Sequence, residues 1–150
     1  MKVAILSGSV YGTAEEVARH AEGLLKQAGF DAWHNPRANL EDVLAFGPQG
    51  FLVVTSTTGM GELPDNLQPL YYAIRDRFPA WSGLPGGVIA LGDSSYGDTY
   101  CAGGELVREL FAELSIREVL PMLRVDASES VTPEQDAEPW LAELVEALRG

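Results

Sequence analysis

The sequence predicts an α/β protein in which helices cover both faces of a parallel β-sheet, forming a three-layer sandwich. Three short apolar runs predict central strands at residues 3–6, 51–54 and 88–91. Strands that are buried on both faces are apolar throughout and do not alternate with polar residues. Two further strands are predicted at residues 31–34 and 117–125. Segments with helical periodicity separate the strands, and this alternation is typical of a parallel sheet covered on both faces.

The predicted helices follow from the spacing of apolar residues and from end signals. The first helix ends at Gly29, and Thr13 with Glu16 predicts a capping box at its start. A short helix is predicted at residues 40–45 and a longer one at 67–78. Two more helices have apolar residues on one face: Leu106, Leu110, Phe111 and Leu114 in one, and Trp140, Leu141, Leu144, Val145 and Leu148 in the other. The last helical region begins with Thr132 as cap and Pro133 at the first helical position.

Composition narrows the class of protein. The 150 residues carry a net charge of −12, from 10 basic and 22 acidic residues, and 46% are hydrophobic. We expect one domain over residues 1–150, with no nucleic acid and no membrane as partner, because the basic patch that binds phosphates is lacking. Cys101 is the only cysteine, which excludes an internal disulfide and favours a buried packing role. The N-terminal apolar run is too short for a signal peptide, so a cytoplasmic location is expected.

The first of three unusual loops follows the first strand, at the edge where open parallel sheets bind ligands. This first loop, residues 7–14, contains two glycines and leads into a helix. Its backbone N–H groups can converge on an anion, and the hydroxyls of Ser7, Ser9 and Thr13 can add donors. The loop contains no lysine, which excludes a nucleoside triphosphate site, and it lacks the glycine spacing of a dinucleotide site. The predicted anion is a phosphate monoester, and the alternative is a Ser/Gly-rich turn and helix cap that holds no ligand.

The second and third loops predict a site for a flat ring. The second loop, residues 55–66, has a run of hydroxyls before Gly59 and Gly61, which allow the backbone to approach a ligand closely. The third loop, residues 92–104, is rich in glycine and contains two tyrosines, whose rings favour stacking over exposure. An ordinary long turn in the second loop and self-packing of the third are the alternatives.

Several catalytic classes lack the residues that they require. A serine hydrolase built on Ser94 would need a histidine late in the chain, whereas both histidines, His20 and His34, lie early and are predicted to be surface or hydrogen-bonded residues. The same shortage of ligands argues against metal catalysis. A phospho-receiver domain would need a carboxylate at the end of the third strand, where this chain has Thr55. No catalytic residue and no metal ligand is predicted.

The three loops together resemble those of the flavodoxins, the small FMN-binding electron carriers. Residues 9–16 are similar to the family's phosphate loop, especially to the version in the FMN domains of diflavin reductases. Residues 56–59 resemble the loop on the inner face of the isoalloxazine, and residues 91–96 with Tyr100 and Cys101 resemble the outer loop. The resemblance covers the whole chain and, because the fifth strand is predicted to be uninterrupted, is to the short-chain branch. It implies a five-stranded parallel sheet in the order 2-1-3-4-5, with FMN as cofactor.

The resemblance also implies a set of FMN contacts. Tyr96 would stack on the outer ring face, with Tyr100 lining the pocket. Thr58 stands where relatives often have an aromatic ring, so Met60 or Leu63 would shield the inner face only in part. The implied cofactor-binding residues are Ser9, Val10, Tyr11, Gly12, Thr13, Ala14, Ser56, Thr57, Thr58, Gly59, Leu91, Gly92, Asp93, Tyr96, Tyr100 and Cys101.

The function implied by the resemblance is one-electron transfer without substrate turnover. The protein would be a monomer, reduced by an NADPH-dependent flavodoxin or ferredoxin reductase and oxidised by a redox enzyme. An acidic rim would steer a basic partner to the flavin, formed by Glu62, Asp65, Asp93 and Asp98. The acidic segment 126–146 is predicted to be a solvated face. The alternatives are a small FMN-dependent quinone or NAD(P)H oxidoreductase, and an accessory protein that keeps the fold without FMN.

Overall fold

A parallel β-sheet lies at the centre of the computed structural model, which describes residues 1–58, 61–92, 101–126 and 129–150. Its strands are β1 (Lys2–Gly8), β2 (Asp31–His34), β3 (Gly50–Thr55), β4 (Pro85–Gly92), β5 (Arg117–Glu118) and β6 (Leu123–Asp126). The order is β2-β1-β3-β4-β5, and β6 also pairs with β4. Every pairing is parallel. The predicted fold class and strand order are therefore confirmed.

Helices cover both faces of this sheet. They are α1 (Thr13–Gln27), α2 (Leu40–Phe46), α3 (Gln68–Arg77), α4 (Ala102–Leu114), α5 (Pro133–Asp136) and α6 (Glu138–Arg149). Successive residues of β1 alternate between two apolar cores, with Ile5 facing the core under α1 and α6 and Leu6 facing the core under α2, α3 and α4. Because both faces are buried, the strands have the continuous apolar runs seen in the sequence.

The predicted continuous fifth strand is wrong. The structure has two short strands there, β5 and β6, separated by residues 119–122, and both pair with β4. Pro121 lies in the gap and has no N–H to donate to a strand ladder. Its carbonyl instead accepts a hydrogen bond from the Trp140 indole N–H at 2.9 Å. The interruption is four residues long, so the sheet order is unaffected.

The helix ends differ from the predicted ones in three places. Thr13 is the first residue of α1 rather than its cap; the cap is Gly12, without a side-chain bond, so the predicted capping box is wrong. A capping box that was not predicted starts α2, where Asn39 Oδ1 accepts from the Asp42 N–H at 2.9 Å and Asp42 Oδ2 accepts from the Asn39 N–H at 3.1 Å. The last helical region is divided at Ala137, although Pro133 is at a first-turn position as predicted.

The strand register places the three predicted loops side by side. Thr55, at the end of β3, is aligned with Gly8 of β1 on one side and with Ala90 of β4 on the other. The carboxyl ends of β1, β3 and β4 therefore meet at one edge of the sheet. Among the helices that the structure describes, none has the length and apolar character needed to cross a membrane.

Candidate functional site

The candidate site is the sheet edge where the first, second and third loops begin. Of the predicted site residues, the structure describes those at positions 9–14 and 56–58, together with Leu91, Gly92 and Cys101. The other four, Gly59, Asp93, Tyr96 and Tyr100, lie outside the described residues, as do Met60 and Asp98. The described residues therefore form the phosphate side of the predicted site and the bases of the two loops predicted to bind the ring.

The first loop presents the amino end of α1. Gly12 has a φ of 88°, a left-handed conformation that favours glycine, and its N–H donates to Ser9 Oγ at 2.7 Å. The first helical hydrogen bond runs from the Glu16 N–H to the Gly12 carbonyl at 3.0 Å. The N–H groups of Thr13 and Ala14 precede that bond and have no hydrogen-bond partner in the described part of the chain. They are the donors that an anion would meet at this helix end.

Ser7, predicted as a further donor to an anion, has another role. Its side chain is buried, and its Oγ is hydrogen-bonded to His34 Nε2 at 2.7 Å. The His34 backbone N–H donates to Glu22 Oε2 at 3.1 Å. His34 is thus a hydrogen-bonded structural residue, as predicted, and it links β1 to β2 directly beneath the first loop. Of the three predicted hydroxyl donors, Ser9 accepts the Gly12 N–H at its Oγ and keeps its own hydrogen to donate. The Thr13 hydroxyl has no hydrogen-bond partner among the described residues.

Burial makes the stability of this link depend on pH. Desolvation lowers the pKa of His34 from its ordinary 6.5, and Arg19 lowers it further, whereas Glu22 and Glu15 partly oppose the shift. The unfolded chain therefore takes up a proton before the folded chain does. The contribution of neutral His34 to the free energy of unfolding should be fully present above pH 6.5 and should be lost as the pH drops below that value.

Urea unfolding of the wild type and of His34→Gln, from about pH 7.5 to about pH 5, tests this expectation. Glutamine retains a polar nitrogen but does not titrate. The stability difference between the two proteins should therefore narrow as the pH falls. Parallel curves over the whole range would show that His34 does not contribute to the pH dependence.

The second loop is closed at its base by three hydrogen bonds. The Thr58 N–H donates to the Glu62 carbonyl at 3.0 Å, the Gly61 N–H donates to the Thr58 carbonyl at 2.9 Å, and the Glu62 N–H donates to Thr58 Oγ1 at 3.1 Å. Glu62 and Asp65 are exposed, as an acidic rim requires. Leu63 is only 3% exposed and belongs to an apolar core, so little of its surface is left to shield a flavin ring.

The loops are tied to one another as well as to the sheet. The Ser56 N–H donates to the Gly8 carbonyl at 2.9 Å, which joins the second loop to the first. The Gly103 N–H donates to Thr57 Oγ1 at 3.0 Å, which joins the third loop to the second. A Cβ on Gly103 would lie 2.8 Å from the Ser56 carbonyl oxygen, so this approach requires glycine. Thr57 thus has a structural role that its sequence position did not reveal.

The described part of the third loop is buried except at Ala102, which is half-buried. Leu91 and Gly92 end β4 within the sheet, and Cys101 caps α4 with no exposed surface and a φ of 60°. Cys101 Sγ lies 3.6 Å from the Ala90 carbonyl oxygen. These contacts agree with the packing role predicted for Cys101.

The residues present fit the phosphate end of FMN. The donors available in the first loop are neutral backbone N–H groups at a helix N-terminus and the hydroxyls of Ser9 and Thr13. No lysine or arginine occurs between Lys2 and Arg19. This donor set suits a terminal phosphate monoester, which needs neither a metal ion nor a basic side chain.

Comparison with known proteins gives a consistent result. A family model described as Flavodoxin matches residues 5–140. The chain is 44% identical to flavodoxin YqcA of Pectobacterium carotovorum, over 97% of this chain and 98% of that protein, and 41% identical to flavodoxin YqcA of Escherichia coli, over 93% of each. The solved structure of a C101A mutant of flavodoxin from Pseudomonas aeruginosa is 77% identical, covers 100% of both chains and superposes with a TM-score of 0.98.

Proposed function

Because this chain belongs to the flavodoxin family, we propose that it binds FMN and carries single electrons from an NADPH-dependent flavoprotein reductase to a redox enzyme. The observation that carries the proposal is the convergence of the three loops. They leave neighbouring strand ends, and hydrogen bonds from Ser56 to Gly8 and from Gly103 to Thr57 tie them together. Such a preformed edge suits a ligand with a phosphate at one end and a planar ring at the other.

Each part of the edge has a distinct task in this proposal. The N–H groups of Thr13 and Ala14 would hold the phosphate, and the predicted ring contacts of the second and third loops would hold the isoalloxazine. FMN, when bound, supplies the reversible one-electron chemistry. The exposed carboxylates of Glu62 and Asp65 give the second loop a negative charge, which would disfavour adding negative charge to a flavin bound beside it. The protein would thereby lower the reduction potential of bound FMN.

Reconstitution and stepwise reduction test the cofactor assignment. Apoprotein titrated with FMN should bind one equivalent, and photoreduction followed by absorbance should show two separate one-electron steps. The absence of yellow, FMN-bound protein after reconstitution would contradict the proposal. The protein alone should not oxidise NADPH steadily, whereas adding a flavoprotein reductase should start electron transfer. Steady NADPH oxidation without a reductase would instead favour the FMN-dependent oxidoreductase.

Salt dependence tests the proposed docking through the acidic rim. We expect electron transfer from the reductase to slow as salt is raised from about 0.01 M to about 1 M, because the Debye length shrinks from about 30 Å to about 3 Å. Replacing Glu62 and Asp65 together with glutamine and asparagine should flatten this dependence. Glu143 and Glu146, both exposed on α6, are replaced together with glutamine as a charge-matched control. They lie away from the second loop, because α6 packs into one apolar core of the sheet and Leu63 of the second loop packs into the other. A rate independent of salt would leave the acidic residues without a docking role.

A further inference from the structure

We propose that Asn66, which is not among the predicted cofactor-binding residues, is a positioning residue for the phosphate subsite. Its side-chain amide holds the first loop in the conformation that receives the phosphate of FMN. The inference rests on the proposed function and extends it by assigning a residue of the second loop to the phosphate end of the site.

The amide of Asn66 contacts both backbone polar groups of one residue in the first loop. Its Oδ1 accepts from the Ser9 N–H at 3.0 Å, and its Nδ2 donates to the Ser9 carbonyl at 3.1 Å. These two groups belong to the peptide planes on either side of the Ser9 Cα. A single side chain therefore fixes the orientation of both planes. The carboxylate of an aspartate could not do this, because an ionised carboxylate has no hydrogen to donate to the Ser9 carbonyl.

The fold brings Asn66 to Ser9 through a close contact next to both residues. A Cβ on Gly8 would lie 2.6 Å from Leu67 Cβ, so glycine at position 8 permits the second loop to approach β1. Leu67 is 3% exposed and caps α3, and its N–H donates to the Pro64 carbonyl at 2.9 Å. The turn that holds Asn66 is thus anchored by the buried side chain of Leu67 and closed by the hydrogen bond from the Leu67 N–H to the Pro64 carbonyl.

The effect of Asn66 continues along the first loop to the phosphate donors. Ser9, held by Asn66, accepts the Gly12 N–H at its Oγ, and Gly12 caps α1. The N–H groups of Thr13 and Ala14 follow directly. Asn66 can therefore order these donors without touching the phosphate. Ordering a loop before binding lowers the entropy cost of binding and raises affinity.

Comparison of FMN with riboflavin isolates this role, because riboflavin has the same ring but no phosphate. Asn66→Ala should lower the affinity of the apoprotein for FMN about tenfold, the effect expected for losing two hydrogen bonds at a partly exposed site. The affinity of Asn66→Ala for riboflavin should change by less than about twofold, which corresponds to a smaller free energy than the loss of one such hydrogen bond. Titrations monitored by quenching of flavin fluorescence give both dissociation constants.

Gln68→Ala is the matched control. Gln68 also carries a side-chain amide and is the first residue of α3, two positions after Asn66. Its Nε2 donates to the Leu63 carbonyl at 2.7 Å, and it makes no hydrogen bond to the first loop among the described residues. Its ratio of FMN to riboflavin affinity should equal that of the wild type. A second measurement uses inorganic phosphate alone: phosphate should raise the melting temperature of the wild-type apoprotein more than that of Asn66→Ala.

The outcomes distinguish this inference from the proposed function. If the wild type binds no FMN, the proposed function is wrong and the role of Asn66 is wrong with it. If the wild type binds FMN and Asn66→Ala keeps the wild-type affinity ratio, only the role of Asn66 is overturned. An equal loss of FMN and riboflavin affinity in Asn66→Ala would also overturn it, since that pattern indicates a general structural defect.

Discussion

Replacing Gly104 with alanine is expected to lower the free energy of unfolding by about 2 kcal/mol, the usual size of an overpacking effect in a well-packed core. Gly104 lies in the first turn of α4 against the sheet. A Cβ there would lie 2.5 Å from Ala90 Cβ and 2.5 Å from Met122 Sδ. Met122 can move its flexible side chain, but the Ala90 Cβ is fixed to the backbone of the central strand β4. The helix must therefore move away from the sheet.

Gly23→Ala provides the matched control, because it makes the same chemical change inside another helix. Gly23 is exposed in α1, and a Cβ there would have no neighbour within 4 Å. The helix propensity gained by alanine should then raise stability by about 0.5 to 1 kcal/mol. Urea unfolding measures both variants, which should shift in opposite directions. A stabilised Gly104→Ala would show that α4 does not pack on β4 as closely as described.

The sequence was most informative where one physical effect dominates. The central strands β1, β3 and β4 are buried on both faces, so their apolar runs predicted them well. The fifth strand was predicted wrongly because an apolar run gives no direct sign of where its backbone pairs. Pro121, which interrupts the pairing, was present in the predicted segment and was the available signal. The capping box at the start of α2 was not predicted because it has asparagine at the cap and aspartate three residues later. The usual pattern has serine or threonine at the cap and glutamate or glutamine at the later position.

The composition of the candidate site was easier to predict than its internal bonding. Glycines and hydroxyls in three loops after three strands predicted where a ligand would bind, because strand ends meet at one sheet edge. The bonds of Ser7 to His34 and of Asn66 to Ser9 join residues that are 27 and 57 positions apart. No local pattern encodes such pairs. The prediction consequently assigned Ser7 to an anion and did not recognise Asn66.

The largest effect on cofactor binding is expected from Gly103→Ala. A Cβ at this position would lie 2.8 Å from the Ser56 carbonyl oxygen and 3.0 Å from Thr57 Oγ1. Neither neighbour can move away easily, because the contact with Ser56 is to a backbone atom and the side chain of Thr57 is buried. The start of α4 and the second loop must separate, which breaks the bond from the Gly103 N–H to Thr57. We expect a loss of about fivefold to about 150-fold in FMN affinity, which corresponds to an overpacking cost of about 1 to 3 kcal/mol.

Riboflavin shows which end of the site is affected. Gly103→Ala alters the loops predicted to hold the ring, so the affinities for riboflavin and FMN should fall by the same factor, in contrast to the selective loss expected for Asn66→Ala. Thr57→Val removes the acceptor of the Gly103 N–H without adding an atom to the contact, and should lower both affinities by a smaller factor. A fall in FMN affinity alone for Gly103→Ala would contradict the assignment of these loops to the ring. Gly103→Ala and Asn66→Ala act on opposite ends of one ligand. The double variant should therefore lose the sum of the two binding free energies lost by the single variants, as expected for independent sites.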